Sequence, residues 1–197
     1  MQAARWADDI RIQDKAQNRS RWHYINFPFK PEGQPASVQI KEPEPVNILT
    51  AMAENESVVK NENDGERKAI ALAWLFHLVG DIHQPLHTAQ LFTVKYPKGD
   101  TGGNEICVRV TEAGQPMDLH RFWDGVITSS QNLTRLRNEA TALRNCQEFQ
   151  RSQLTELAST DFESWAKESF EIAMKIAYQN GRLIAAPRDG NKAARLS

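Results

Sequence analysis

Residues 66–83 read ERKAIALAWLFHLVGDIH, a stretch that is apolar on nearly every side of a helix and yet carries His77 and Asp81. A helix that is hydrophobic all round belongs in a protein interior. An imidazole and a carboxylate buried there are costly unless they pair with each other or bind a metal. The two residues stand four apart, so on a helix they lie one above the other on one face and can bring a nitrogen and an oxygen to one point. The segment therefore calls for a buried core helix and, inside that core, a polar site. Pro85 cannot continue the helix, so the chain is expected to turn near Gln84 and to present His87 just beyond the helix end.

The chain holds five histidines, and four of them sit in frames suited to metal binding. His23 lies in Trp22-His23-Tyr24, His77 pairs with Asp81, His87 follows the Pro85 turn, and His120 stands four residues before Asp124, a second pair on one helix face. Zinc is usually held by three or four such nitrogen and oxygen donors. Either His-x-x-x-Asp pair alone is equally well a hydrogen-bonded structural pair. Two pairs with two further histidines read as a multinuclear zinc site. His83 is the exception, because it lies roughly 240° around the helix from His77 at ~100° per residue, which gives it a surface or supporting place.

Around these residues the organisation is mainly α. A helix is expected over 3–15, carrying Asp8 and Arg11, then an extended aromatic stretch over 22–29. The prolines at 28, 31, 35, 43 and 45 exclude a helix interior and mark a loop to about residue 46. Helices follow over 47–60 and from Asp64, which can cap the buried segment. Glycines around the alternating residues 106–110 suggest a short hairpin inserted within 88–117. A short helix with His120 and Asp124, a polar helix over 131–157 and a last one over 161–179, stopped by Gly181, complete the reading. Residues 182–197 look frayed. One domain spans 1–197, with no internal repeat.

Five words of the chain resemble, in order, the zinc-dependent single-strand-specific nucleases of the S-one/P-one type, the mung bean nuclease-like family allied in structure with zinc phospholipase C. They are WADDIR at 6–11, WHYIN at 22–26, HLVGDIHQPLH at 77–87, GGN at 102–104 and DLHRFWD at 118–124. The resemblance covers about residues 5–180. It implies the helical phospholipase C/P-one-nuclease-like fold, with a short β-hairpin insertion. It implies a first zinc held by Asp8, His23, His77 and Asp81, and a second held by His87, His120 and Asp124. A third zinc in the family is bridged by the counterpart of Asp81 and otherwise bound by an N-terminal tryptophan and a nearby histidine. This chain begins at Met1, seven residues before Asp8, and has neither of those two ligands. It reads as a fragment, shortened before that helix and after residues 178–181.

The same resemblance implies the chemistry. Activated hydroxide attacks a phosphodiester of single-stranded DNA or RNA, the 3′ oxygen leaves, and 5′-phosphorylated products form, with 3′-nucleotides also hydrolysed. Arg11, three residues from Asp8, would contact the phosphate, although by itself it reads as a surface arginine. Asp81 and Asn26 complete the catalytic set. Tyr24 would stack on an unpaired base, or else pack in the core, and Gly102, Gly103 and Asn104 would close the base pocket. Fungal members carry aspartate where this chain has Asn26, so base preference and pH optimum do not carry over. The alternatives are a phospholipase-C-like zinc phosphoesterase, and a zinc- or nucleic-acid-binding remnant without activity.

Composition adds little. A formal net charge of −1 offers no broad basic surface for phosphate contacts, but divalent ions outweigh the carboxylates that bind them, so the metal centre itself is the anion receptor. Cys107 and Cys146 show no disulfide spacing logic and read as free thiols. No apolar run is long enough to span a membrane. The resemblance implies a secreted or periplasmic protein, and a monomer is expected. Asn18, Asn55 and Asn132 each open a glycosylation triplet, a pattern that arises often by chance.

Overall fold

A computed structural model of the chain describes residues 2–111, 114–128, 130, 132–185 and 194–195. The architecture is mainly α with only short strands. Helix α1 (Gln2–Gln13), α2 (Ile48–Asn61) and α3 (Gly65–Ile82) pack together. After them come the six-residue α4 (Leu119–Asp124), α5 (Leu133–Asn145) and α6 (Phe162–Ile172).

Local chemistry sets the boundaries. Asn47 caps α2 with its Oδ1, accepting the amides of Leu49 at 3.0 Å and Thr50 at 3.3 Å, while Thr50 Oγ1 accepts the Asn47 amide. This reciprocal pairing satisfies amides that the first turn leaves without partners. Asp64 caps α3 in one direction, its Oδ1 accepting the amides of Glu66 and Arg67. At its far end α3 stops at His83, and Gln84 caps a single 3-10 turn, Pro85–His87. The proline occupies the first position of that turn, where a missing amide proton costs nothing.

Strand β1 (Phe27–Phe29) runs parallel to β2 (Ala89–Leu91), with Phe27 opposite Ala89 and Phe29 opposite Leu91. The pairing begins earlier, as the Ile25 amide donates to His87 O at 2.8 Å and the Phe27 amide to Thr88 O at 3.0 Å. The segment after His23 is thereby laid along the segment after His87. The expected hairpin is only two residues wide: β3 (Cys107–Val108) pairs antiparallel with β4 (Met117–Asp118), and β4 leads directly into α4. Residues 112 and 113 of that hairpin lie outside the described ones. Strand β5 (Ile184–Ala185) pairs with β6 (Ala194–Arg195), so the tail read as frayed contains paired backbone. Its residues 186–193, 196 and 197 also lie outside the described ones.

Two apolar clusters form the interior. The first joins Ala7 of α1, Ile25, the inner face of α2, Trp74, Leu78 and Ile82 of α3, and Ala166 of α6. The second joins Leu86, Ala89, Leu91, Tyr96, Ile106, Leu119, Ala173, Ala177 and Tyr178. The segments carrying His77 and Asp81 belong to the first cluster, and those carrying His87 and His120 to the second. The candidate metal ligands are therefore carried by segments of both cores.

Three expectations are corrected. Helix α3 is not covered on every side, since Leu72, Phe76 and Val79 are 39%, 58% and 40% exposed. The helix over 131–157 is α5 followed by three separate 3-10 turns, Gln147–Phe149, Arg151–Gln153 and Thr155–Ala158. Its sequence buries no residue of α5, and without an apolar face to pack, a long helix gains nothing over short turns. The aromatic stretch 22–29 opens not as a strand but as the 3-10 turn Ser20–His23. Helix α6 runs on as a π-helical turn, Ala173–Ala177. Both cysteines are free, and Asn55 is buried with its amide on Ala51 O at 2.7 Å, which removes it as a glycosylation acceptor.

Candidate metal centre

The first group of donors converges from three elements. Asp8 comes from α1, His23 from the end of the 3-10 turn, and His77 and Asp81 from successive turns of α3. One donor atom from each of Asp8, His23 and His77 lies within 4.8 Å of the others. Asp81 joins them, with Oδ2 at 2.9 Å from His23 Nδ1 and 3.0 Å from His77 Nε2. His23 Nδ1 and His77 Nε2 are 2.8 Å apart.

The second group is His87, His120 and Asp124, again with donor atoms within 4.8 Å of one another. The His87 and His120 rings stack with centroids 4.9 Å apart. Asp124 Oδ1 is 3.9 Å from His87 Nε2 and 3.7 Å from His120 Nε2. Asp81 links the groups, because its Oδ1 lies 3.9 Å from His87 Nδ1 while its Oδ2 serves the first group.

Backbone carbonyls set the tautomers. His77 Nδ1 lies 2.7 Å from Ala4 O, His87 Nδ1 2.6 Å from His23 O, and His120 Nδ1 2.7 Å from Gly102 O. A carbonyl only accepts, so each Nδ1 carries the proton, and each Nε2 is left to face the carboxylates, as a donor when the ring is charged and as a bare lone pair when it is neutral. Metal-binding imidazoles are oriented in this way by an outer hydrogen bond on the other nitrogen. The donor set of four imidazoles and three carboxylates, with no thiolate, suits zinc or a similar nitrogen- and oxygen-binding divalent ion.

Aromatic packing holds the first group in place. Trp74, 2% exposed and one turn before His77, meets Trp6 at 6.2 Å, Trp22 at 4.9 Å and the His23 ring at 5.5 Å, all edge to face. Burial works against the charged form of Asp81. Hydrogen bonds from His23 and His77 and the charges of His87 and His77 outweigh it, holding the carboxyl well below the ordinary carboxylate range. Burial likewise opposes the imidazolium of His77, but Asp81, the Ala4 carbonyl and Asp8 raise its affinity for a proton above the ordinary value. For His87, burial and the neighbouring His120 prevail over the pull of Asp81, the His23 carbonyl and Asp124, and its pKa is lowered.

Both groups open on a cleft of about 710 Å³, lined also by Arg11, Tyr24, Asn26, Thr101, Gly102 and Asn104. Arg11 is half exposed, its Nη1 3.7 Å from Asp8 Oδ1. Tyr24, expected either in the cleft or in the core, lies at the cleft wall. Of the candidate site residues, Gly103 alone does not line the cleft. It packs inward, at φ 83°, where a Cβ would stand 2.9 Å from Leu86 Cδ1 and 3.2 Å from the His120 amide. Gly102, at φ 58°, leaves no room for a Cβ, which would fall 2.6 Å from Leu86 O. His83 faces away as expected, exposed and against the Trp165 ring at 5.3 Å.

Sequence reasoning passed over Gln84, whose Nε2 donates to Asp124 Oδ1 at 2.8 Å. Its signal was its place inside the long 77–87 word, between His77 and His87. The Ala4 and His23 carbonyls were beyond reach, since any residue supplies a carbonyl.

A family model described as S1/P1 Nuclease matches residues 1–192. Endonuclease 3 of Arabidopsis thaliana is 34% identical over 147 residues, covering 68% of this chain and 45% of that protein. Endonuclease 4 of the same plant is 34% identical over 146 residues, 67% of this chain and 44% of the relative. Nuclease S1 of Aspergillus oryzae is 28% identical over 125 residues, 61% of this chain and 39% of that enzyme. The chain thus spans less than half the length of these relatives.

Proposed function

The chain belongs to the S1/P1 nuclease family, and from that premise we propose a zinc-dependent endonuclease that hydrolyses single-stranded DNA and RNA to 5′-phosphorylated products and also acts on 3′-nucleotides. The observation that carries this reading is a single cleft. Seven metal-suited side chains from separate elements converge in it, and a tyrosine ring and two side-chain amides line its walls.

Asp8, His23, His77 and Asp81 would hold one zinc, and His87, His120 and Asp124 a second. Bound zinc supplies a water that ionises near neutral pH and an electrophile for phosphoryl oxygens. The protein's part is to present bare Nε2 lone pairs, keep Asp81 ionised between the groups, and shield the first group beneath Trp74. Arg11 stands at the cleft mouth beside Asp8, free on one side to meet a phosphate oxygen as negative charge builds. The Tyr24 ring offers a face on which a base can stack only when it is out of the duplex, which favours single strands and tolerates any base. Asn26 and Asn104 are amides of the kind that pair with a base edge, Asn104 with its Nδ2 held on Thr101 O at 2.8 Å.

Names of the relatives support the endonuclease reading, and the exported character of such enzymes supports a secreted or periplasmic place. No helix among the described residues is long and apolar enough to cross a membrane. The deciding experiment compares hydrolysis of denatured and duplex DNA by the purified chain, with added zinc and with a chelator. Chelator-sensitive cleavage of the denatured strand is expected. Hydrolysis of phosphatidylcholine in place of DNA, or zinc binding without any turnover, would overturn the reading.

A further inference from the structure

Asp100 is fully buried and engages both oxygens at the base of the loop whose Thr101, Gly102 and Asn104 line the cleft. Its Oδ1 accepts the Leu91 amide at 2.8 Å, and its Oδ2 accepts the Gly103 amide and the Tyr178 hydroxyl, each at 2.8 Å. The loop pinned at Gly103 grips His120 twice. Gly102 O takes the ring Nδ1 proton at 2.7 Å, and Gly103 O faces the His120 amide at 3.4 Å. One residue further on, Asn104 lines the cleft.

Tyr178 reaches Asp100 from the end of the last helix. The π-helical turn Ala173–Ala177 closes with the Tyr178 amide on Ala173 O at 2.8 Å, and the ring is completely buried. Single π turns inside helices re-aim the side chains that follow them. Here the turn delivers one hydroxyl to one carboxylate across 78 residues.

We propose that Asp100 and Tyr178 are positioning residues for the second metal group: by clamping the 100–104 loop they hold the Gly102 carbonyl where it fixes the tautomer and orientation of His120. The proposal rests on the metal-centre reading above for its consequence, but its geometric core concerns His120 alone. A simple packing role for the pair would affect the whole fold evenly. A positioning role acts on His120 and leaves His77 unchanged.

The test uses Tyr178→Phe, which keeps the ring and removes only the hydroxyl, and Asp100→Asn, which keeps an acceptor for Leu91 and loses the double acceptor for Gly103 and Tyr178. Two readouts are taken on the full chain: nitrogen-detected NMR of the histidine rings without metal, and zinc affinity of each group by competition with a chromophoric chelator. In the unaltered chain His120 is expected as the Nδ1-protonated tautomer. Both variants should mix its tautomers, leave His77 unchanged, and weaken zinc at the second group about tenfold, the lower end of what outer-sphere partners contribute. Unchanged His120 tautomer and second-group affinity in a folded Tyr178→Phe variant, or equal weakening of both groups, overturns the proposal. Should Asp100→Asn fail to fold, the tyrosine variant still decides. Failure of the unaltered chain to bind zinc at all would refute the metal-centre reading separately, because the tautomer readout needs no metal.

Discussion

His77 donates its Nδ1 proton to the carbonyl of Ala4, 2.7 Å away and 73 residues earlier in the chain. One hydrogen bond thus ties helix α1 to the core of α3 and turns the other ring nitrogen toward His23 and Asp81. The same bond places Asp8, one helical turn beyond Ala4, at the edge of the metal group.

Asp81 belongs to the first group and lies between it and His87 of the second. Asp81→Ala is expected to lower zinc affinity of the first group by more than about 100-fold, beyond the range that outer-sphere changes reach. A chelator titration showing unchanged zinc content would remove Asp81 from the ligand set. Without metal, its folded pKa lies below the unfolded value, so its stabilising contribution is present above the ordinary carboxylate range and is lost as pH falls below it. Asp81→Asn should therefore flatten the acid limb of the metal-free unfolding curve.

The two histidines on either side of Asp81 should titrate in opposite directions. In the metal-free chain His77 is raised and His87 lowered relative to an ordinary imidazole. NMR titration should show His77 taking its proton at the higher pH and His87 staying neutral to the lower one. The raised His77 contributes stability that is full below the unfolded imidazole pKa and is lost as pH rises through its folded one. Zinc added near pH 6.5 should release protons, mainly from His77, and a pH indicator dye would record them. Coincident titration of the two rings would contradict this.

Tyr24→Ala should raise the Michaelis constant for oligonucleotides about 5- to 150-fold, since stacking is worth ~1–3 kcal/mol per base, with zinc content unchanged. Steady-state kinetics on a short single strand measure it. An unaltered constant would mean that no base stacks on that ring.

Trp74→Ala removes the ring that Trp6, Trp22, His23 and His77 all meet edge to face. A cavity of that kind costs about 3–5 kcal/mol, read from chemical denaturation of the metal-free chain. The loss should also weaken zinc at the first group while sparing the second, because His23 leans on Trp74 and His87 and His120 do not.

Much of the centre was legible without coordinates because its logic is local. His77 with Asp81, and His120 with Asp124, are helix-face pairs, and the Asp64 cap and the Pro85 turn bound their segments by rules that act over a few residues. The helix-rich class followed from the same periodicities. The outward phase of His83 was visible in the same way. Tertiary structure decided what no window of sequence contains. It brought Asp8, His23 and His87 to α3 and α4 through the Trp74 cluster and the parallel pairing of β1 with β2. It chose the ring tautomers through carbonyls of Ala4, His23 and Gly102, which are chemically the same as every other carbonyl until the fold aims them. It turned Gly103 inward, uncovered one face of α3, and set Asp100 against Tyr178, a contact whose free energy depends on burial and on the meeting of distant segments.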